Sequence, residues 1–253
     1  MAWAALAFLY VPIAAVLLFS FNASPLITVW EGFSTHWYAS ALENDDLKRA
    51  VVNSLVVGIG ATVFSTLLAL AAALALHGGR LPGKVAVTTS ALMTLPILIP
   101  EIVIAVATMA FFAMAGIELG IGNVLIAHIV FCTPFAYSPI RARIDTIPAA
   151  MGEAAADLYA EPWQAFRHVT LPLLMPGIWS GAMLAFITSL DDFIITQMVA
   201  PPGGMTLPVY IYSMVRRGIT PEINAVSALL LLVSIVMVLA SVAISRRGVT
   251  QKA

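Results

Sequence analysis

An all-α polytopic membrane protein with six transmembrane helices is the fold class that three properties of this sequence predict. Its 253 residues are 61% hydrophobic and only 10% charged. With a mean hydropathy of +0.98, that much apolar surface cannot be hidden inside a water-soluble globule of this length. Six apolar runs, at about 2–21, 51–76, 85–114, 123–140, 173–199 and 222–245, each reach the ~20 residues a helix needs to cross ~30 Å of hydrocarbon. Between the fourth and fifth runs lies a polar island, Glu153 to Pro172, too long to be a simple turn. No internal repeat, linker or low-complexity tract divides the chain, so residues 1–253 are expected to form a single transmembrane domain.

The first run, Ala2 to Phe21, has no basic segment before it and no small-residue cleavage pattern before Asn22; it reads as a retained helix rather than a signal peptide. Six spans place both termini on one side, and Lys and Arg choose the side. Arg80, Lys84, Arg141, Arg143, Arg167, Arg246, Arg247 and Lys252 fall on the side of the termini, against Lys48, Arg49, Arg216 and Arg217 opposite. The positive-inside bias therefore predicts cytoplasmic termini and a cytoplasmic 141–172 loop. On the opposite face, 22–50 carries Trp30, Phe33, Trp37 and Tyr38, which suit an interfacial aromatic belt. The other external segment, 200–221, opens on Pro201-Pro202-Gly203-Gly204 and continues as a short apolar piece with Tyr210 and Tyr212. That piece either lines an external gate or lies on the membrane surface.

Several chemistries are excluded. A net charge of −1 and the absence of a basic stripe with interleaved aromatics argue against nucleic acid. The single cysteine, Cys132, allows neither an internal disulfide nor a thiolate metal cluster and reads as a small buried hydrophobe. His36, His77, His128 and His168 are scattered without an i, i+4 partner, so no metal site is expected. Gly78 to Lys84 fits the first part of a phosphate-binding loop, but Val85 stands where the Mg²⁺-binding Ser or Thr belongs and no strand precedes it. It is a tight turn. Neither a catalytic triad nor a nucleophile elbow occurs, so no catalytic residue is proposed.

Acidic residues inside apolar runs are the exception to this blandness. Glu101 follows Leu95-Pro-Ile-Leu-Ile-Pro100; a straight helix from Val85 would put it ~24 Å from the cytoplasmic end. An ionisable group at such depth points to function, and the flanking prolines suggest a broken helix lining a cavity. Glu101 is thus a pathway carboxylate, a helix-start cap, or both. Asp191-Asp192 poses the same choice: if the fifth helix runs to Val199, Asp192 lies ~22 Å from Gly177, and if it stops at Leu190 the pair is a solvated end. Adjacent helix positions are ~100° apart, so one acid can face a pathway while the other caps. Acids gathered at one depth suit a cationic substrate.

The polar island resembles the EAA loop of bacterial ABC-importer permeases: Glu153-Ala154-Ala155, a position four residues later where that family has glycine, and a late Leu171-Pro172. Here the glycine position is Tyr159, and a side chain in a left-handed turn costs about 1 kcal/mol. Beyond the loop, Ser20-Phe-Asn22, Val29 through Tyr38, His128 through Thr133, Ser189-Leu-Asp-Asp192, Leu207 through Val215 and Gly218 through Ala225 are similar to the second permease of bacterial spermidine/putrescine importers.

The resemblance implies a type I importer fold in the bacterial inner membrane. It also implies a homologous permease as heterodimer partner, a cytoplasmic ATPase dimer that binds ATP and Mg²⁺, and a periplasmic binding protein that delivers substrate. No cofactor is implied for this chain itself. Glu153, Ala154, Ala155, Asp157, Tyr159, Ala160, Leu171 and Pro172 become the coupling residues, and Glu101, Asp191, Asp192, Tyr210 and Tyr212 the substrate path. Alternating access, driven by the ATPases through the loop, is the implied mechanism. The competing expectation is an importer permease for another small solute, such as iron, thiamine, a phosphonate or γ-aminobutyrate.

Overall fold

In a computed structural model, residues 2–26, 29–77, 81–118, 120–217, 221–232 and 235 are described. Helices account for the apolar runs: α1 Ala2–Phe19, α3 Asp45–Leu76, α4 Gly83–Leu98, α5 Glu101–Met114, α6 Ile121–Ile144, α9 Leu171–Asp191 and α10 Ile194–Val199, with α12 Pro221–Leu232 opening the sixth run. The external segments add α2 His36–Glu43 and α11 Leu207–Arg217, and the polar island adds α7 Ala149–Asp157 and α8 Pro162–Ala165. A π-helical turn over Phe166–Thr170 joins α8 to α9. Arg80, the glycines of the 78–79 turn, most of 233–253 and the basic residues of the tail fall outside the described residues.

Length decides which helices can span. Asp45–Leu76, Ile121–Ile144 and the continuous stretch Pro162–Asp191 are long and apolar enough to cross a bilayer. At ~1.5 Å per residue, the 32 residues of α3 extend ~48 Å, longer than the ~30 Å of hydrocarbon. Asp45 and Asp46 lie in its first turn, where the helix dipole favours acids. The third apolar run, 85–114, is broken as its prolines suggested, into two helices bent by 115°, a broken span or a re-entrant loop. The cause is Pro100, which has no N–H and excludes the residue before it from the helical region. Ile99 is accordingly extended, with φ −84° and ψ 132°. The ~24 Å depth for Glu101 presumed a straight helix and does not carry over; Glu101 is the first residue of α5.

The chain divides into two compact units, Arg49–Val209, and Met1–Lys48 with Tyr210–Ala253. The larger is organised around α6, which buries Val124, Ala127, His128, Phe131, Cys132, Ala136 and Ile140 among others. Its most extensive partner is α9, and two glycines set their separation. A Cβ on Gly177 would lie 2.5 Å from the Arg143 Cβ, and one on Gly181 would lie 2.5 Å from the Ala136 carbonyl oxygen. Small residues spaced by four let membrane helices approach to backbone contact. Arg143 completes the seam by donating from Nε to the Leu173 carbonyl at 2.8 Å.

In the smaller unit, the predicted aromatic belt turns out to be folded around Asn22, which is fully buried. Its amide donates to the Val29 carbonyl at 2.6 Å and its Oδ1 accepts from the Ser24 and Glu31 amides. Trp37 donates its indole N–H to the Asn22 carbonyl at 3.0 Å, and Phe21 stacks on Phe33 at 5.2 Å. The aromatics are thus packed on one another and on the Asn22 turn.

Candidate functional site: a polar cluster at two helix breaks

The break between α9 and α10 is the chemically richest place in the larger unit. Asp192 is extended there, with φ −64° and ψ 126°, and its side chain is fully buried. Oδ1 accepts the Ile195 amide at 3.1 Å; Oδ2 accepts the Thr196 amide at 2.9 Å and the Thr196 hydroxyl at 2.8 Å. A carboxylate that takes the first N–H groups of a helix acts as its cap and suits the positive end of the dipole. The fifth run therefore neither continues to Val199 as one helix nor ends at Leu190. It breaks at Asp192, and a second helix follows.

His128, from α6, faces that carboxylate. Its Nε2 lies 3.1 Å from Asp192 Oδ2 and 2.9 Å from Thr196 Oγ1, and its Nδ1 lies 2.7 Å from Ser189 Oγ. Proton positions follow from the partners. The Thr196 hydroxyl gives its proton to Asp192, so its oxygen can only accept from the imidazole, and the carboxylate also only accepts. His128 Nε2 therefore carries a hydrogen, while Nδ1 meets the Ser189 hydroxyl. All four side chains belong to buried residues, and in that setting each satisfied bond counts and each orphan is costly.

Glu101 reaches the same place from the other break. Its half-buried carboxyl lies beside that of Asp192, and α5 packs on α10. The two acids that sequence reasoning placed at similar depth are brought together, with Asp191 adjacent. Asp191 is exposed and Asp192 is enclosed, so the neighbouring acids face different surroundings. Among the described residues, no group of three or more His, Cys, Asp or Glu side chains is arranged to hold a metal.

Tyr210 and Tyr212 belong to neither break. Tyr210 is buried and accepts from the Asn44 amide at 2.9 Å, and that amide also reaches Glu222 at 3.2 Å. Tyr212 is partly exposed, with the Arg216 guanidinium 5.0 Å from its ring centroid, within range of a cation–π attraction.

The polar island forms a second, separate surface. α7 carries Glu153, Ala154 and Asp157 exposed, with Ala155 buried. Tyr159 follows with φ +58°, the left-handed conformation expected where the related loops have glycine. It is held there by its own amide bonding to the Ala156 carbonyl and by the Ala160 amide bonding to the Ala155 carbonyl. Ala160 is half-buried, and Glu161 then opens α8 with a reciprocal capping box to Gln164. Leu171-Pro172 begins α9 directly after the π-helical turn Phe166–Thr170, a local irregularity of the ladder at which a helix accommodates the missing N–H of proline. Leu158, Tyr159 and Trp163 are 81%, 95% and 65% exposed, an apolar patch with a polar rim of the kind that marks interaction surfaces.

Sequence reasoning missed His128, Ser189 and Thr196 as site residues. A single histidine in an apolar run carries no signal of its own. Its partners lie 61 and 68 positions away.

Known proteins supply the context for this architecture. The chain is 38% identical over 240 residues, 95% of its length and 90% of the relative's, to the spermidine/putrescine transport system permease protein PotC of Escherichia coli strain K12. It is 36% identical over 231 residues, 88% of this chain and 82% of the relative, to the putrescine transport system permease protein PotI of the same strain. The putative 2-aminoethylphosphonate transport system permease protein PhnV of Salmonella typhimurium strain LT2 is 30% identical over 242 residues, 95% of this chain and 90% of that protein. Among solved structures, a bacterial ABC transporter that imports alginate is similar in fold, with TM-score 0.73 at 19% identity over 96% of this chain and 91% of that one. The inward-facing MetNI methionine transporter gives TM-score 0.67 at 24% identity, covering 79% and 94%. Residues 65–249 match the family described as binding-protein-dependent transport system inner membrane component, and the chain belongs to that family: it is a permease subunit of an ABC importer.

Proposed function

We propose that this permease conducts putrescine or spermidine across the bacterial inner membrane by alternating access. The carrying observation is that Glu101, at the α4–α5 break, meets Asp192 at the α9–α10 break, with Asp191 exposed beside it. A protonated amine leaving water loses hydration, and a carboxylate within ~4 Å at an effective dielectric of ~20 returns ~4 kcal/mol per charge pair. Glu101 and Asp191 are the acids accessible to cargo, and Asp192 holds them in register. The polyamine names of two relatives support the same reading.

In this scheme a homologous permease supplies the other half of the path. A separate ATPase dimer, which binds ATP and Mg²⁺, docks on Glu153 to Pro172 from the cytoplasm, and a periplasmic protein delivers cargo to the opposite face. The exposed Leu158–Tyr159–Trp163 patch supports the docking surface. Both termini lie in the cytoplasm, on the basic-residue count. This chain needs no cofactor and catalyses no reaction.

The test is ATP turnover by the reconstituted complex with its binding protein. Putrescine or spermidine should stimulate turnover several-fold, and γ-aminobutyrate or thiamine should not. The relative named for 2-aminoethylphosphonate motivates one alternative, a zwitterionic amine; stimulation by that compound and not by diamines would select it.

A further inference from the structure

The α9–α10 break has an unusual cause. Sharp helix breaks come from proline, glycine, a π-bulge or a side chain inserted into the hydrogen-bond ladder. Residues 182–200 contain no proline and no glycine, whereas the α4–α5 break has Pro100 at its centre. What occupies the break is Asp192, capping α10, and behind it His128. The imidazole touches both sides: Nδ1 reaches Ser189, in the last turn of α9, and Nε2 reaches Asp192 and Thr196, at the start of α10.

We propose that His128 is a positioning residue, a two-sided latch that keeps α9 and α10 broken at Asp192 and so fixes where Glu101 and Asp191 meet the cargo. Without the Nε2–H donor, Asp192 Oδ2 loses a partner and the Thr196 oxygen loses the donor that orients its hydroxyl toward the carboxylate. The carboxylate then caps α10 less firmly, and the backbone at 192–193 can regain helical bonding. Glu101, at the start of α5, is displaced with it, because α5 packs on α10. His128 itself, buried behind the carboxylate, does not touch cargo. The inference rests on the cationic-cargo reading for its consequence in transport, but the latch itself does not depend on what is carried.

The experiment uses the whole complex in lipid nanodiscs and compares His128→Gln with His128→Asn and His128→Leu. A glutamine amide reaches the Nε2 position and keeps the donor to Asp192 and Thr196, an asparagine amide reaches only the Nδ1 position, and leucine keeps neither. Amide hydrogen exchange over the 192–199 peptide should quicken at least tenfold in the Asn and Leu variants and stay within about threefold of the parent in Gln. At saturating loaded binding protein, maximal putrescine uptake per assembled complex should fall at least tenfold in Asn and Leu, be largely rescued in Gln, and show an unchanged half-saturation concentration.

Equal exchange in Gln, Asn and Leu would overturn the latch. If His128 variants do not assemble, Thr196→Val against Thr196→Ser decides on the same exchange readout, because only Ser keeps the hydroxyl between the imidazole and the carboxylate; equal exchange in the two again overturns it. A parent complex that imports no polyamine while the exchange contrast holds would refute the cargo reading and leave the latch standing.

Discussion

Asp192 illustrates how a buried ionised residue earns its place. Its carboxylate meets two amides, a hydroxyl and an imidazole, so the desolvation cost is offset on every side. Removing one partner of such a pair typically costs 3–5 kcal/mol. Asp192→Ala should therefore lower the thermal unfolding midpoint of the assembled complex by several degrees, whereas the exposed Asp191→Ala should leave it within about one degree. The site's acids were legible in the sequence because ionisable residues stand out in apolar runs. His128 was not, because nothing local distinguishes a latch from an ordinary core histidine; only the fold brings Ser189 and Thr196 to its two nitrogens. Tyr159 was legible through the loop pattern, and its φ of +58° shows that the chain keeps the left-handed turn despite the Cβ. Tyr159→Gly should relieve about 1 kcal/mol of that strain and leave transport intact, as measured by thermal unfolding and uptake.

At the level of elements, the α6–α9 seam is what a pattern reading passed over. Glycines four apart are common in membrane helices, and only the neighbouring backbone tells which pair is a contact. Gly181→Ala would force its methyl against the Ala136 carbonyl oxygen, 2.5 Å away, and overpacking of this kind costs about 1–3 kcal/mol. Gly122→Ala, where a Cβ would meet nothing within 4 Å, is the control; thermal unfolding should separate the two. The helix breaks were half legible. Pro100 announced that the third apolar run would be interrupted but not that it would bend by 115°, since a proline states where hydrogen bonding stops and packing decides the angle. The polar island was the most legible element, because its polar residues interrupt an apolar chain, and α7 and α8 lie there. Reversing an exposed charge there, Glu153→Arg, should disfavour docking of the ATPase without disturbing the core. Expression and insertion should stay at the parent level while ATP-driven uptake falls at least tenfold.

For the whole molecule, topology and cargo are the two statements everything else serves. Met151→Cys, in α7, and Glu43→Cys, at the end of α2, each in a Cys132→Ser background, should react with an impermeant maleimide from opposite faces of the membrane; reaction from one face would contradict the six-span arrangement. The central claim, that the acids at the two helix breaks carry a cationic amine, is tested most directly by putrescine uptake into vesicles containing the complete complex, comparing the parent with Glu101→Gln/Asp191→Asn at saturating loaded binding protein. The account predicts at least a tenfold loss of uptake with assembly and ATP hydrolysis retained, whereas uptake at the parent rate would contradict it.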